Sequence, residues 1–309
     1  MPAEEDYECD RAEEQERFRM IEWRTEDDFD PERIACSGQC FRWKKEGSGW
    51  RILSGNHCVH LTVYPGILLL EDAAPDDEAY WWNYFDLSTD YRQLRELLRG
   101  RNPTIDRVMD NWEGLRILRQ EPFEMLITFI ISQRKSIGAI RTAVETMSTF
   151  CGERLPCGEY GFPDAAALMK MDNWQDLRLG YRERYVRDAV LQAESGALDP
   201  GRLAALPDEE LRNVLKSISG VGEKVANCIM LFGFHRMDAF PRDVWIQRAM
   251  QTMEYHEALY RGYNGLIQQY LFMDARMGTL LQNRRMLDKS DSKQSKISAM
   301  KMNIILPKG

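Results

Sequence analysis

The chain has 309 residues, 44% of them hydrophobic and 29% charged, with a formal net charge of -8 and a pI near 5.3. No apolar run approaches the ~18 residues that a membrane helix needs, and the acidic start MPAEEDYECDRAEEQE lacks the apolar core of a signal peptide. An intracellular protein is expected, in the cytoplasm and nucleoid if the source is prokaryotic, with no membrane partner.

Residues 1–17 read as a disordered acidic leader. From Phe18 to Asp72 short runs (CFRWKK, GWRILSG, HCVHLTVY, ILLLED) are separated by glycine-containing turns, the pattern of an antiparallel sheet. Trp81, Trp82, Tyr84 and Phe85 follow in a stretch expected to plug that sheet as a turn or helix. From Tyr91 nearly to Arg285 the chain reads as helical. YRQLRELLRG is amphipathic and ends at Gly100. PFEMLITFIISQ, apolar all round and opened by Pro122, predicts a buried central helix. SIGAIRTAVETMSTFCG, DAAALMKM, YVRDAVLQAESG, VWIQRAMQTM and GLIQQYLFMDARMG are further helices. In DEELRNVLKSI, Asp208 is expected as the N-cap. The fold class is therefore α+β, an antiparallel sheet followed by helices. Residues 286–309 form a lysine- and serine-rich tail read as disordered.

Seven cysteines (9, 36, 40, 58, 151, 157 and 228) form no C-x-x-C and no cluster, which argues against a zinc ribbon or an iron–sulfur centre. They read as free thiols. Among the four histidines only His57 and His60 come near a ligand spacing, and it is a weak one, so no metal is expected. The acidity argues mildly against a nucleic-acid partner. What a phosphate backbone meets is the potential of one face, however, and QRKSIGAIR and GYRERYVR are locally basic.

The most informative stretch is Lys216–Asp243, with a helix–hairpin–helix at about 208–233. In Gly220-Val221-Gly222 two glycines allow a tight turn and expose consecutive amides at the start of an apolar helix. Those amides and the helix dipole make an anion site without side-chain charge. A plain inter-helix turn with a glycine cap fits the same residues. Lys224 lies in the first helical turn, where the macrodipole disfavours a positive charge. A destabilised ammonium yields its amine more readily, and an amine is a nucleophile. A solvated or phosphate-contacting lysine fits equally well. Asp243, ahead of VWIQRAMQTM, can cap that helix, and a carboxylate so fixed can also stabilise a cation or move a proton.

ISGVGEKVANCIMLFGF followed by AFPRDVW resembles the helix–hairpin–helix, Gly/Pro and Asp signature of base-excision DNA glycosylases, and among them the 8-oxoguanine DNA glycosylase/AP lyases. CSGQCFRW, LRILRQEPFEMLITFIISQ, LRLGYRERYV and NGLIQQYLF resemble the corresponding family stretches in the same order, so the resemblance runs from about Phe18 to Arg285. It implies an N-terminal antiparallel sheet domain (18–112) packed on a two-part, mostly helical domain (113–285), and a bifunctional enzyme of base-excision repair acting as a monomer on damaged double-stranded DNA, without a cofactor. It implies Lys224 as Schiff-base nucleophile and Asp243 as its catalytic partner. Gly38 resembles the glycine whose carbonyl accepts the imidazole-ring proton that oxidised guanine carries and guanine lacks. Gln268 resembles the reader of the pairing edge, and Phe272 and Cys228 the two sides of a sandwich around the flipped base. The i,i+4 spacing of Gln268 and Phe272, and of Lys224 and Cys228, puts each pair on one helical face. Gly220, Gly222, Arg134, Tyr181, Arg182 and Trp245 are the expected DNA contacts, and a monovalent cation between hairpin carbonyls and a phosphate is a family expectation.

The departures concern the opposite strand and, at Trp245, the pocket entrance. Arg134 stands where eukaryotic members have an asparagine that fills the hole left by the base, Ala139 where they have an arginine reading the opposite cytosine, and Trp245 where they have a histidine. Arg182 resembles their second cytosine-contacting arginine. Selectivity for the opposite base is expected to be weaker than strict cytosine, and a bacterial or archaeal branch is implied. Two other readings remain: a monofunctional alkylpurine glycosylase on the same fold, needing Asp243 but not Lys224, and a non-enzymatic helix–hairpin–helix DNA-binding module.

Overall fold

The computed structural model describes residues 19–74, 76–252 and 255–278. The leader 1–17 and the tail 286–309 lie outside the described residues. Five antiparallel strands, β1 (Arg19–Arg24), β2 (Trp43–Glu46), β3 (Gly49–Ser54), β4 (His57–Tyr64) and β5 (Ile67–Ala73), form one sheet in the order β1-β5-β4-β3-β2. Four are the runs expected. β1 is an addition: Ile21 and Trp23 are buried while Met20, Glu22 and Arg24 are exposed, a period-two alternation that the neighbouring acidic leader obscured. Between β1 and β2 lies a short helix, α1 (Pro31–Cys36), capped by Asp30, whose side chain accepts from Arg33 N.

The aromatic stretch forms α2 (Glu78–Tyr84). Trp81, Tyr84 and Phe85 are buried while Trp82 stays 40% exposed, and Trp43 Nε1 of the sheet donates to Tyr84 Oη at 2.8 Å. The sheet is thus plugged from one side by rings whose one buried phenol is satisfied. His57 and His60, three apart on β4, point to opposite faces and meet different carboxylates, Asp77 (2.9 Å) and Glu71 (3.4 Å).

The helical part comprises α3 (Tyr91–Leu98), α4 (Pro103–Asn111), α5 (Pro122–Ser132), α6 (Ile137–Cys151), α7 (Ala165–Met169), α8 (Glu183–Glu194), α9 (Pro200–Ala204), α10 (Asp208–Ser217), α11 (Glu223–Phe232), α12 (Val244–Thr252) and α13 (Asn264–Met273), which continues into a π-helical turn to Gly278. α5 is buried all round from Glu124 to Ile131 and packs on α11, where Phe129 stacks on Phe232 with centroids 5.5 Å apart. Sheet and helices share one hydrophobic core. Among the described residues no helix is long and apolar enough to cross a membrane.

One expected cap is corrected. α10 begins at Asp208 itself, with Pro207 (ψ 152°) as the flanking residue and no side-chain cap. The extended Pro207 puts the helix boundary one residue early, so Asp208 already has helical backbone. Its carboxylate instead complements the dipole along with Glu209 and Glu210, and meets Arg236 at 3.4 Å.

Before α5 the chain runs extended, and Leu115, Ile117 and Leu118 are buried in it. Arg116 is also buried, but its guanidinium donates to the carbonyls of Phe85 (3.1 Å), Asp86 (2.6 Å) and Thr89 (2.9 Å) and pairs with Asp27. A buried charge supplied with that many acceptors is a structural tie between the sheet and the helices.

Candidate active site

The two hairpin glycines do different work. Gly220 has φ +81°, and a Cβ there would lie 2.5 Å from the Tyr185 ring, so only glycine fits. Its carbonyl accepts from Gln133 Nε2 at 3.0 Å. Gly222 has an ordinary φ of -91° and open space where a Cβ would be. The turn therefore needs Gly220, while Gly222 leaves the approach to the start of α11 clear. Val221 N is used within the turn, bonding Ile218 O at 3.0 Å, and the first intrahelical bond runs from Ala226 N to Gly222 O at 2.9 Å. The amides ahead of Ala226 face out of the helix end. The adjacent Glu223 is drawn away and neutralised: its carboxylate meets Lys216 Nζ at 2.7 Å, and that bond holds its pKa below the usual range.

Lys224, the second residue of α11, reaches into a cavity of about 860 Å³. Its Nζ lies 5.4 Å from the centroid of the Phe129 ring. One turn on, Cys228 is buried; burial pushes its thiol pKa up, against the pull of the neighbouring Lys224. Asp243 caps α12, Oδ1 accepting from Trp245 N and Ile246 N, both at 2.9 Å. Two main-chain donors to one oxygen fix where that carboxylate stands.

The facing wall comes from α1 and α13. Gly38 has φ +75°, and a Cβ there would sit 3.5 Å from the Phe272 ring. Its turn is held by Gln39, wholly buried, whose side chain accepts from Leu118 N (2.8 Å) and donates to Arg116 O (2.8 Å) and Ser37 Oγ (2.9 Å). Gln120 closes the set by donating to the Gln39 carbonyl at 2.8 Å. Gln268 Nε2 donates to Pro241 O at 3.0 Å, so this side chain is tied to the loop that carries Asp243. Arg276 donates to Cys36 O at 3.1 Å, joining the π-helical turn after α13 to the Gly38 turn.

The family described as 8-oxoguanine DNA glycosylase, N-terminal domain, matches residues 22–126. The probable N-glycosylase/DNA lyase of Methanothermobacter thermautotrophicus is 29% identical, over 84% of this chain and 97% of its own length. The 8-oxoguanine glycosylase/lyase of Clostridium acetobutylicum, solved with double-stranded DNA containing cytosine opposite 8-oxoguanine, superposes with a TM-score of 0.77 at 29% identity, covering 84% of this chain and 98% of that one. The solved structure of MBOgg1 with a low-affinity DNA ligand gives a TM-score of 0.79 at 31% identity, over 84% of this chain and 96% of that one. The chain belongs to the 8-oxoguanine DNA glycosylase family.

Of the residues singled out by the family resemblance, Gly38, Arg134, Gly222, Lys224, Cys228, Asp243, Trp245, Gln268 and Phe272 line this one cavity. Gly220, Tyr181 and Arg182 do not. Gly220 acts through the turn. Tyr181 is half exposed, with the Arg182 guanidinium 4.4 Å from its ring centroid. Arg182 is buried and donates to the Gln133 carbonyl (2.7 Å) and the Leu179 carbonyl (3.2 Å). It braces the Gln133–Lys135 loop, in which the exposed Arg134 takes a φ of +52°. Sequence reasoning in family terms missed Phe129, Gln269 and Arg276 on the cavity wall. Only Gln269 carried a signal, as a second amide next to Gln268 on a helix otherwise apolar around it.

Proposed function

We propose that the protein releases 8-oxoguanine from duplex DNA and then nicks the strand at the resulting abasic site. The observation that carries this is the convergence on one cavity of Lys224 and Asp243, from separate elements, with Gly38, Cys228, Gln268 and Phe272. Membership in the family, and the match to glycosylase/lyases over nearly their full length, support the same reading.

In this mechanism the hairpin amides hold the backbone phosphate and the damaged nucleotide is flipped into the cavity. The Phe272 ring and Cys228 flank the base, Gln268 meets its pairing edge, and the Gly38 carbonyl accepts the imidazole-ring proton specific to the oxidised base. The Lys224 amine attacks the anomeric carbon. The glycosidic bond breaks and its electron pair leaves with the base, which takes up a proton. The Asp243 carboxylate stabilises the positive charge that develops on the sugar. Opening of the sugar ring gives an imine on Lys224. Loss of a proton from the adjacent carbon expels the 3′ phosphate by β-elimination, and water then frees the lysine. The hairpin carbonyls have the oxygen chemistry a monovalent cation takes, such as the Ile218 carbonyl, which accepts from Val221 and keeps a second lone pair. Such a cation would hold phosphate and would enter no bond-making step.

Borohydride trapping on a duplex with one 8-oxoguanine tests this. Wild type is expected to be trapped and Lys224→Gln not. Base release by wild type with no trapped species would overturn the imine and leave a monofunctional glycosylase. DNA binding with no base release would overturn the enzyme.

A further inference from the structure

Gln268 and Gln269, neighbours on α13, both line the cavity, and each is only 3% exposed. Their amide orientations are dictated by chemistry. The Pro241 carbonyl can only accept, so the Gln268 atom 3.0 Å from it is the nitrogen. That turns Gln268 Oε1 toward Gln269. The Gln269 atom 2.9 Å away must then be nitrogen too, because two carbonyl oxygens at that distance repel. The polarity of both amides is set outward from Pro241, and Gln269 Oε1 is left buried without a partner. Buried acceptors are seldom left so, and an apolar side chain would fill the place without that penalty. The polar atom that is used in this structure is the one facing Gln268.

We propose that Gln269 is a positioning residue which, with the Pro241 carbonyl, locks the Gln268 amide against a flip and thereby sets which purine edge Gln268 accepts. The inference rests on the excision of 8-oxoguanine proposed above and deepens it. A guanine-type edge offers a carbonyl oxygen beside a ring N–H. An adenine-type edge offers an amino group beside a ring nitrogen that accepts. A carboxamide, with NH2 beside C=O, matches one of these in one orientation and the other when flipped. A freely flipping amide could satisfy either edge. An amide held at both ends satisfies one.

The test is single-turnover base release from duplexes containing 8-oxoguanine or 8-oxoadenine, beside strand incision at a preformed abasic site. Gln269→Leu is expected to slow 8-oxoguanine release about tenfold, the worth of one aligned hydrogen bond, and to narrow the preference over 8-oxoadenine by a similar factor. Abasic-site incision, which has no base to read, should stay within about twofold of wild type. Gln269→Glu supplies a second readout. Its carboxylate would repel Gln268 Oε1 at pH 8, and its protonated form can donate to it. Base release relative to wild type should therefore recover toward pH 5. An unchanged Gln269→Leu, an equal loss in both assays, or no recovery of Gln269→Glu on acidification would overturn the lock. Wild type without activity on 8-oxoguanine would instead overturn the proposed function, and the lock with it.

Discussion

On one side of the cavity, Lys224 and Asp243 owe their positions to backbone within a few residues of themselves. Gly220 makes the turn that starts α11, and the α12 amides hold Asp243. On the other side, Gly38 and Gln268 are placed from far along the chain. Gln39 bonds Arg116 and Leu118, Arg276 bonds Cys36, and Gln268 bonds Pro241. The wall proposed to carry the chemistry is built largely by local rules, with Gln133 bonding the Gly220 carbonyl from farther off, and the wall proposed to read the base by tertiary ones. Changes to the first should remove chemistry and spare the fold, whereas changes to the second should cost both.

The largest effect is expected on the local wall. Lys224→Gln should abolish imine trapping and slow base release roughly a thousandfold or more, as loss of a nucleophile does. Asp243→Asn is the sharper probe, since asparagine caps a helix about as well as aspartate. Base release should fall roughly 10²–10⁴-fold, the range for a lost charge or proton-transfer group, while thermal stability barely moves. A large drop in Tm would mean that the cap, not the charge, was the reason for Asp243.

Gln39→Leu probes the distant wall. It leaves the Leu118 amide and the Arg116 carbonyl buried without their side-chain partner. Unmet groups of this kind cost about 1–3 kcal/mol each, so destabilisation of about 2–5 kcal/mol by chemical denaturation is expected. Slower 8-oxoguanine release should accompany it, because the Gly38 turn loosens. Full stability with lost activity would break the comparison.

Asp86 ties the two walls. Its buried carboxylate meets Arg119 at 2.7 Å, in the segment that anchors Gln39, and His235 at 3.4 Å, just past α11. Burial alone would raise its pKa, but the bonds and charges of His235 and Arg119 outweigh it and hold the group down to about 2. The folded value lies below the ordinary ~3.9, so the stabilisation is present above about pH 5 and is lost as pH falls toward 2. Asp86→Asn should cost about 2 kcal/mol above about pH 5 and only a few tenths of a kcal/mol near pH 2. Parallel stability curves for the two proteins from pH 7 to 2 would exclude this tie.

How much was legible follows the same division. The hairpin, the buried α5, the cap at Asp243 and the pairing of Lys224 with Cys228 each depend on spacing within one stretch, and the sequence shows spacing directly. β1 had its alternation but sat against the acidic leader. The cap expected at Asp208 failed because Pro207 moved the helix start by one residue. Gln39 was opaque for a different reason, which also hides the role of Gln269 although its second amide beside Gln268 is visible. A buried amide on an apolar element acquires its meaning from partners such as Leu118 or Gln268's own contact with Pro241, and no local pattern names those partners.

The smallest expected effect concerns the strand opposite the lesion. A bidentate arginine contact is worth about 1–3 kcal/mol of discrimination against a wrong base. Ala139, exposed at the start of α6, has no donor to offer. Arg182, the second candidate, is only 8% exposed and holds the Gln133 and Leu179 carbonyls with three of its five N–H donors. From that buried position, reaching a cytosine would require it to swing out from those carbonyls and free the loop bearing Arg134. Excision of 8-oxoguanine opposite cytosine, thymine, guanine and adenine should therefore differ by less than about tenfold, under 1.4 kcal/mol. Arg182→Ala should slow all four by a similar factor, through the loop. A strong preference for cytosine that Arg182→Ala removes would show instead that this arginine leaves its carbonyls on binding DNA, and that the opposite-base reader is assembled only on the duplex.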